Sequence, residues 1–397
     1  MNVSRRQLLS GFSATPKALL PGKDILVIIF QRGGADGLNA LAPYSDSTYQ
    51  SLRSAIRVPE PGEVNGAIYL DEYFGLNPAL SALVPIYAAN DLALIHATGV
   101  PHGSRSHFAA QGLLERGTTT QTGPTDGWLG RHLALSAPTQ SSAFRIVALS
   151  GNVPLMLLGA NEPMAINSFT DFGFDEDILA TGFADILANL YRSPVPLNSP
   201  AHAALDAIDE LSAANLSQYS PDNAATYPNS ELGTKLSQAS QLIKSELPVE
   251  VICIDSLGWD HHDDLPNALA ASLTDLSNCM ATFYTDMGAR MENITLMVHS
   301  EFGRRVRANT SGGTDHGTAG LAYLVGGGVN GGMINGGQSR SEFWPGLEDL
   351  QDGDLKIVTD LRSVMLELLN KRLGGTDARN VFPGFSGNGE NNLFNAL

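Results

Sequence analysis

The sequence predicts an α/β fold built on a mostly parallel central sheet. Three observations carry that expectation. Asp24–Phe30, Val249–Ile254 and Ile294–Val298 are short, nearly unbroken apolar runs rich in β-branched residues, the composition of strands buried on both faces. Each run gives way at once to glycine and ionisable residues, which is how open α/β sheets furnish the carboxyl edge where they bind ligands. Longer stretches with helical patterning separate the runs, as crossovers between parallel strands require.

The elements follow in order. Residues 1–22 carry Ser4-Arg5-Arg6-Gln7-Leu8-Leu9, a stretch resembling a twin-arginine export signal, followed by a short apolar region that Pro16 and Lys17 interrupt. The first strand, 24–30, ends in Gln31-Arg32-Gly33-Gly34-Ala35-Asp36-Gly37, where the glycines permit a tight turn and place Asp36 at the strand's lip. The glycine spacing is not that of a dinucleotide-binding turn. Asp36 has two readings, a turn-capping aspartate and a metal ligand. Asn77-Pro78 opens a helix running to Tyr87, with Asn as cap and Pro at the first helical position. Leu92–Ala97 is a second strand, leading into Thr98–Gln111 and then a helix, so that Ser104 or Ser106 lies at or near a helix start. Serine there is an N-cap or a nucleophile beside free backbone N–H groups.

Gly127–His132 begins another helix, and Phe144–Leu149 and Pro154–Gly159 read as strands. Residues 165–248 read as a helical insertion, with helices near 174–192, 200–216 and 230–245. The strand Val249–Ile254 runs into Asp255-Ser256-Leu257-Gly258-Trp259-Asp260-His261-His262-Asp263-Asp264, followed by a helix over 265–291. In an extended segment Asp260 and His262 can reach one cation, a denser His and Asp grouping than a solvated loop needs. After Ile294–Val298 come Glu301, Arg304 and Arg305, then a glycine-rich loop delivering Asp315-His316. Gly320–Val325 reads as a strand, Asp354–Val358 as an edge strand and Thr359–Leu373 as an amphipathic helix. Residues 23–388 are expected to form one domain, with 389–397 as a tail.

The chain has 397 residues, 43% hydrophobic and 16% charged, enough for a sizeable core. With 41 acidic against 24 basic side chains its net charge is −17, a surface that repels nucleic acid and anionic lipid. No run of about eighteen apolar residues is present, so no transmembrane span is expected. Cys253 and Cys279 are too few for a disulfide framework or a cysteine metal site and read as buried thiols.

In a parallel sheet all carboxyl ends share one edge, so Asp36, Ser106, Asp260, His262, Glu301 and His316 can meet there. Such a set suits one or two divalent cations, zinc or manganese. Arg304 or Arg32 can grip anionic oxygens through a bidentate fork.

The motifs RGGADGLN, FGLNPAL, SHFAAQ, GWLGR, GWDHH, SEFGRR, GTDHG and VFPGF together resemble the domain of unknown function 1501 family, across about residues 24–385. Members of that family commonly carry a twin-arginine signal, and the family resembles a branch of the alkaline phosphatase and sulfatase superfamily, which implies a three-layer α/β/α sandwich. The resemblance implies Asp36 and Glu301 at one metal, Asp260, His262 and His316 at a second, and Ser106 as nucleophile between them. The chain departs from the superfamily in carrying Ser300-Glu301 where an Asp-His pair is common, and from the family in reading Asp260-His261-His262 where Asp-Thr-His is more frequent.

The expected function is an exported metal-dependent hydrolase of phosphate or sulfate esters with a serine nucleophile. Its substrate would be a small anionic ester or a sulfated or phosphorylated glycan. One alternative is a single-metal hydrolase without a covalent intermediate. Another is a non-catalytic exported protein that binds a metal or a glycan on the same fold. The expected location is periplasmic or secreted, and cytoplasmic if the arginine pair is not an export signal.

Overall fold

The computed structural model describes residues 24–136, 142–169, 198–214, 216–334, 347 and 350–394. The arginine-bearing N-terminus and the helix expected near 174–192 lie outside the described residues. The main sheet holds nine strands: β1 (Ile25–Gln31), β5 (Leu92–Gly99), β6 (Ile146–Ala148), β7 (Met164–Ala165), β8 (Val251–Ser256), β9 (Ile294–Ser300), β12 (Gly320–Val325), β13 (Gly332–Ile334) and β14 (Thr359–Asp360). Smaller sheets join β2 (Leu41–Ala42), β3 (Ile68–Tyr69) and β4 (Gly75–Leu76), and pair β10 (Arg304–Ala308) with β11 (Thr314–His316). The order across the main sheet is β13-β5-β12-β9-β1-β8-β6-β7, with β14 beside β5.

β1 lies at the centre, parallel to β8 on one side and β9 on the other, and every one of its residues is buried. Its side chains alternate between two cores, as strand geometry demands. Ile25, Val27 and Ile29 face the core that includes the helices Glu231–Lys244 and Leu265–Met287. Leu26, Ile28 and Phe30 face the core that includes Trp128–Leu135 and Leu361–Arg372. Burying each of these aliphatic side chains contributes roughly 1.5–3 kcal/mol. The molecule is thus the three-layer sandwich expected, with a mixed and mostly parallel sheet.

The exception is β12, which is antiparallel to both β5 and β9. The reversal decides the site. β1, β5, β8 and β9 all end on one edge, and β12 begins there. The segment before β12, which carries His316, therefore reaches the same edge as the segments after the other four strands.

Two expected strands take other forms. Pro154–Gly159 contains a 3-10 turn, Leu155–Leu157. It packs against the helix that starts at Trp128, where Gly127 and Gly130 leave room for the carbonyls of Leu155, Met156 and Leu158. Asp354–Val358 forms no extended pairing beyond a bridge between Gln351 and Asp354; sheet pairing starts at Thr359, and Ile357 packs onto Gly99 instead. The helix at 77–87 is split into a 3-10 turn, Pro78–Leu83, and an α-helix, Val84–Ala88.

Candidate metal centre

β9 delivers Glu301 into the interior of the edge. Its carboxylate accepts from the backbone N–H of Gly33 at 3.0 Å, from Gln111 Nε2 at 2.9 Å, and from His107 Nδ1 at 2.8 Å. Burial acts to raise its pKa, but the donors from Gln111, His107 and Ser300 outweigh that and hold it below the usual range. Glu301 is therefore an acceptor, and His107 Nδ1 carries the proton. A neutral His107 then presents a lone pair at Nε2. That atom is buried, makes no hydrogen bond among the described residues, and lies 3.3 Å from Asp260 Oδ2. A proton or a metal cation between these two atoms would satisfy both.

His316 arrives with the same preparation. Its Nδ1 donates to the carbonyl of Arg105 at 2.7 Å, which turns Nε2 toward Asp260 Oδ1, 3.1 Å away. One ligand atom from each of His107, Asp260 and His316 lies within 4.8 Å of the other two. His262 Nε2 stands 3.0 Å from Asp260 Oδ1 and 2.9 Å from His316 Nε2. Tetrahedral zinc, with ligand distances of about 2.0–2.1 Å, needs donor atoms about 3.3 Å apart. The His107–Asp260 and His316–Asp260 spacings, 3.3 and 3.1 Å, lie within a few tenths of an ångström of that value. The residues present thus fit a divalent cation: nitrogen and carboxylate donors, an outer carboxylate on one imidazole and a backbone carbonyl on another.

Packing explains why these rings hold their places. Phe302 is buried beneath them, with its ring centroid 5.0 Å from His107 and 4.9 Å from His316. Gly34, at φ +67°, lies against the same ring, where a Cβ would come within 2.3 Å of it. Gly33, at φ +129°, lets the β1 loop approach the backbone N–H of Asp260, which a Cβ would meet at 2.6 Å.

The other expected residues have the following places. Arg304 is buried at the base of the site. Its guanidinium donates to the carbonyls of Gly33, Gly34, Trp259 and Thr314 and to the Asp260 carboxylate. Burial works to raise the Asp260 pKa, but this arginine and His316 prevail and hold it at about 2. Arg304 thus fixes the loops that carry Asp260 and His316 and gives Asp260 a single donor nitrogen, Nη2. Arg32 is similarly spoken for by Glu115 at 2.7 Å and Asp255 at 2.8 Å.

Asp36 lies away from the three-residue cluster, buried at the start of the short helix Gly37–Ala40. It caps the N–H of Asn39, and both its oxygens accept from Arg53 Nη1 at 2.8 Å. Ser106 is the exposed N-cap residue of the helix His107–Arg116, and its side chain makes no capping hydrogen bond. The residue that sequence reasoning passed over is His107. A signal was available: His107 and Gln111 sit one helical turn apart, and both donate to Glu301.

A family model described as "Protein of unknown function (DUF1501)" matches residues 88–344, and the chain belongs to that family. No curated protein matches the sequence. Among solved structures, the chain is similar to the C-terminal periplasmic domain of EcEptC from Escherichia coli, at 12% identity and a TM-score of 0.34, covering 94% of this chain and 92% of that one. The same domain in complex with Zn is similar at 12% identity and a TM-score of 0.35, over the same shares of the two chains. No described helix is long and apolar enough to cross a membrane.

Proposed function

We propose that this protein is an exported hydrolase of phosphate or sulfate esters that works with one divalent cation, zinc or manganese. The cation is held by His107, Asp260 and His316, with His262 as a neighbouring donor. The observation that carries this reading is the buried Nε2 of His107, aimed without a hydrogen bond at Asp260 while Glu301 holds the proton on Nδ1. The bound cation would supply Lewis acidity and lower the pKa of an oxygen nucleophile.

The chain's own residues do the rest. Glu301 and the Arg105 carbonyl orient two imidazoles. Arg304 fixes Asp260 and acts on the reaction only through it. Asp36 takes a supporting role with Arg53 rather than a ligand's role. Ser106 is the nucleophile: its hydroxyl is exposed, has no capping bond to make, and precedes His107 directly at a helix N-terminus. Its Oγ attacks phosphorus or sulfur, the alcohol departs and takes up a proton, and water cleaves the Ser106 ester to release phosphate or sulfate and restore the hydroxyl. The substrate is a small anionic ester or a sulfated or phosphorylated glycan. Export rests on the Ser4–Leu9 stretch, and residues 23–388 form the one domain that carries the site.

The test is turnover of chromogenic phosphate and sulfate esters by the zinc- and manganese-supplemented protein, beside Ser106→Ala. The reading expects turnover in the native chain and its loss in the variant with the cation retained. Undiminished turnover in Ser106→Ala would remove the serine from the mechanism. Bound cation without turnover of any ester would favour a binding protein on this fold.

A further inference from the structure

The charge around the centre is unusual for a site that would handle a doubly charged group. The arginines whose side chains are held among the loops that build it carry acidic partners. Arg32 has Glu115 and Asp255, Arg53 has Asp36, Arg105 has Asp354, and Arg304 has Asp260. Arg305 lies 3.5 Å from Asp354 and donates to the carbonyl of Asp352. Each of these five guanidiniums is taken up by protein acceptors, while Arg307, further along β10, is exposed. Asp315, exposed and 3.8 Å from His262, adds a further negative group at the mouth. A dication and Arg304 against the Asp260 and Glu301 carboxylates leave one net positive charge, which matches one negative charge on a ligand.

Two large apolar side chains close in the chain to ligand-bearing residues have the opposite character. Phe108, the residue after His107, is 92% exposed, the highest value among the exposed large hydrophobic side chains. Leu257, three residues before Asp260 in the loop after β8, is 65% exposed. Both flank ligand-bearing residues, and neither is used by the core. An aromatic ring held open beside a polar centre suits an apolar group of a ligand.

We propose that the site takes esters whose reacting group carries a single negative charge and whose aryl or alkyl substituent covers Phe108. This deepens the cation-centred reading above and rests on it. Sulfate monoesters and phosphate diesters share that chemistry, whereas phosphate monoesters are dianions above about pH 7.

Non-hydrolysable analogues test it by calorimetry on the zinc-loaded full chain at about pH 8.5. Benzenesulfonate and methyl phenylphosphonate are aryl monoanions, methanesulfonate lacks the ring, and phenylphosphonate is an aryl dianion. At least one aryl monoanion should bind about tenfold tighter than methanesulfonate, and which one does so separates sulfate from diester substrates. Tenfold is about 1.4 kcal/mol, the return from covering about 55 Å² of apolar surface. In Phe108→Ala that ratio should fall to about twofold with zinc affinity unchanged. Phenylphosphonate should bind no tighter than the better monoanion.

Tighter binding of the dianion by tenfold or more would overturn the inference. So would an aryl preference that survives in Phe108→Ala, or its absence from the native chain. Zinc content is measured on the same samples. Bound zinc without discrimination overturns this inference alone, and no bound zinc overturns it together with the cation reading.

Discussion

Glu301→Gln separates a ligand from a residue that orients one. Glu301 receives four hydrogen bonds, from Gly33, Gln111, Ser300 and His107, and the last fixes the tautomer that points a lone pair at Asp260. The substitution keeps the volume and one acceptor oxygen but removes the charge that would stabilise His107 on a bound cation. Loss of an outer carboxylate costs about 10–100-fold in metal affinity, or about 1.4–2.7 kcal/mol. Loss of a direct ligand costs far more. The assay is competition for zinc against a chromophoric chelator, run beside His107→Ala, with the fold checked by circular dichroism. The account expects a weakening of about 10–100-fold in Glu301→Gln and undetectable binding in His107→Ala. Undetectable binding in both would make Glu301 a ligand, and an unchanged affinity in Glu301→Gln would remove it from the centre.

Further outcomes are expected. Asp36→Ala strands the buried Arg53 guanidinium, which should cost about 3–5 kcal/mol in urea unfolding while the folded fraction still binds its cation; loss of the cation at full stability would place Asp36 in the coordination sphere. Gly33→Ala puts a Cβ 2.6 Å from Asp260 N at φ +129°, so it should lower both thermal stability and zinc affinity, and retention of both would show that the loop can move aside. His96 and His299 are buried and neutral, with pKa values pushed down to about 3 by burial, Arg32 adding to the effect at His299. The unfolded chain takes up those protons near 6.5, so the folded state should lose stability as pH falls from 6.5 toward 3, by up to about 1.4 kcal/mol per pH unit for each histidine. Urea midpoints at about pH 7 and pH 5 should converge in His96→Leu relative to the native chain; an unaltered difference would exclude His96 as a source.

The strands of this fold were legible because burial on both faces writes itself as unbroken β-branched sequence, as in Ile25–Phe30. The direction of β12 was not, since Gly320–Val325 has the same composition whichever way it runs, and that direction is what brings His316 to the shared edge. Asp260, His262 and His316 stood out by density within their loops. The partners of Asp36 and Arg304 did not, because they are set by tertiary approach: Arg53 reaches Asp36 across a turn and a helix, and Arg304 reads carbonyls from three separate loops. Pro154–Gly159 misled for a related reason. An apolar run buried against a helix has the same composition as one buried in a sheet edge. His107 was hidden by the serine before it, whose place at a helix start drew the functional reading one residue too early.

The central claim is a single cation centre made of His107, Asp260 and His316. Elemental mass spectrometry of the purified protein tests it most directly, for the native chain and for His107→Ala, Asp260→Ala and His316→Ala, after growth with added zinc and manganese. The account predicts about one equivalent in the native protein and near none in each folded variant. Two equivalents, or one equivalent that survives in all three variants, would contradict it.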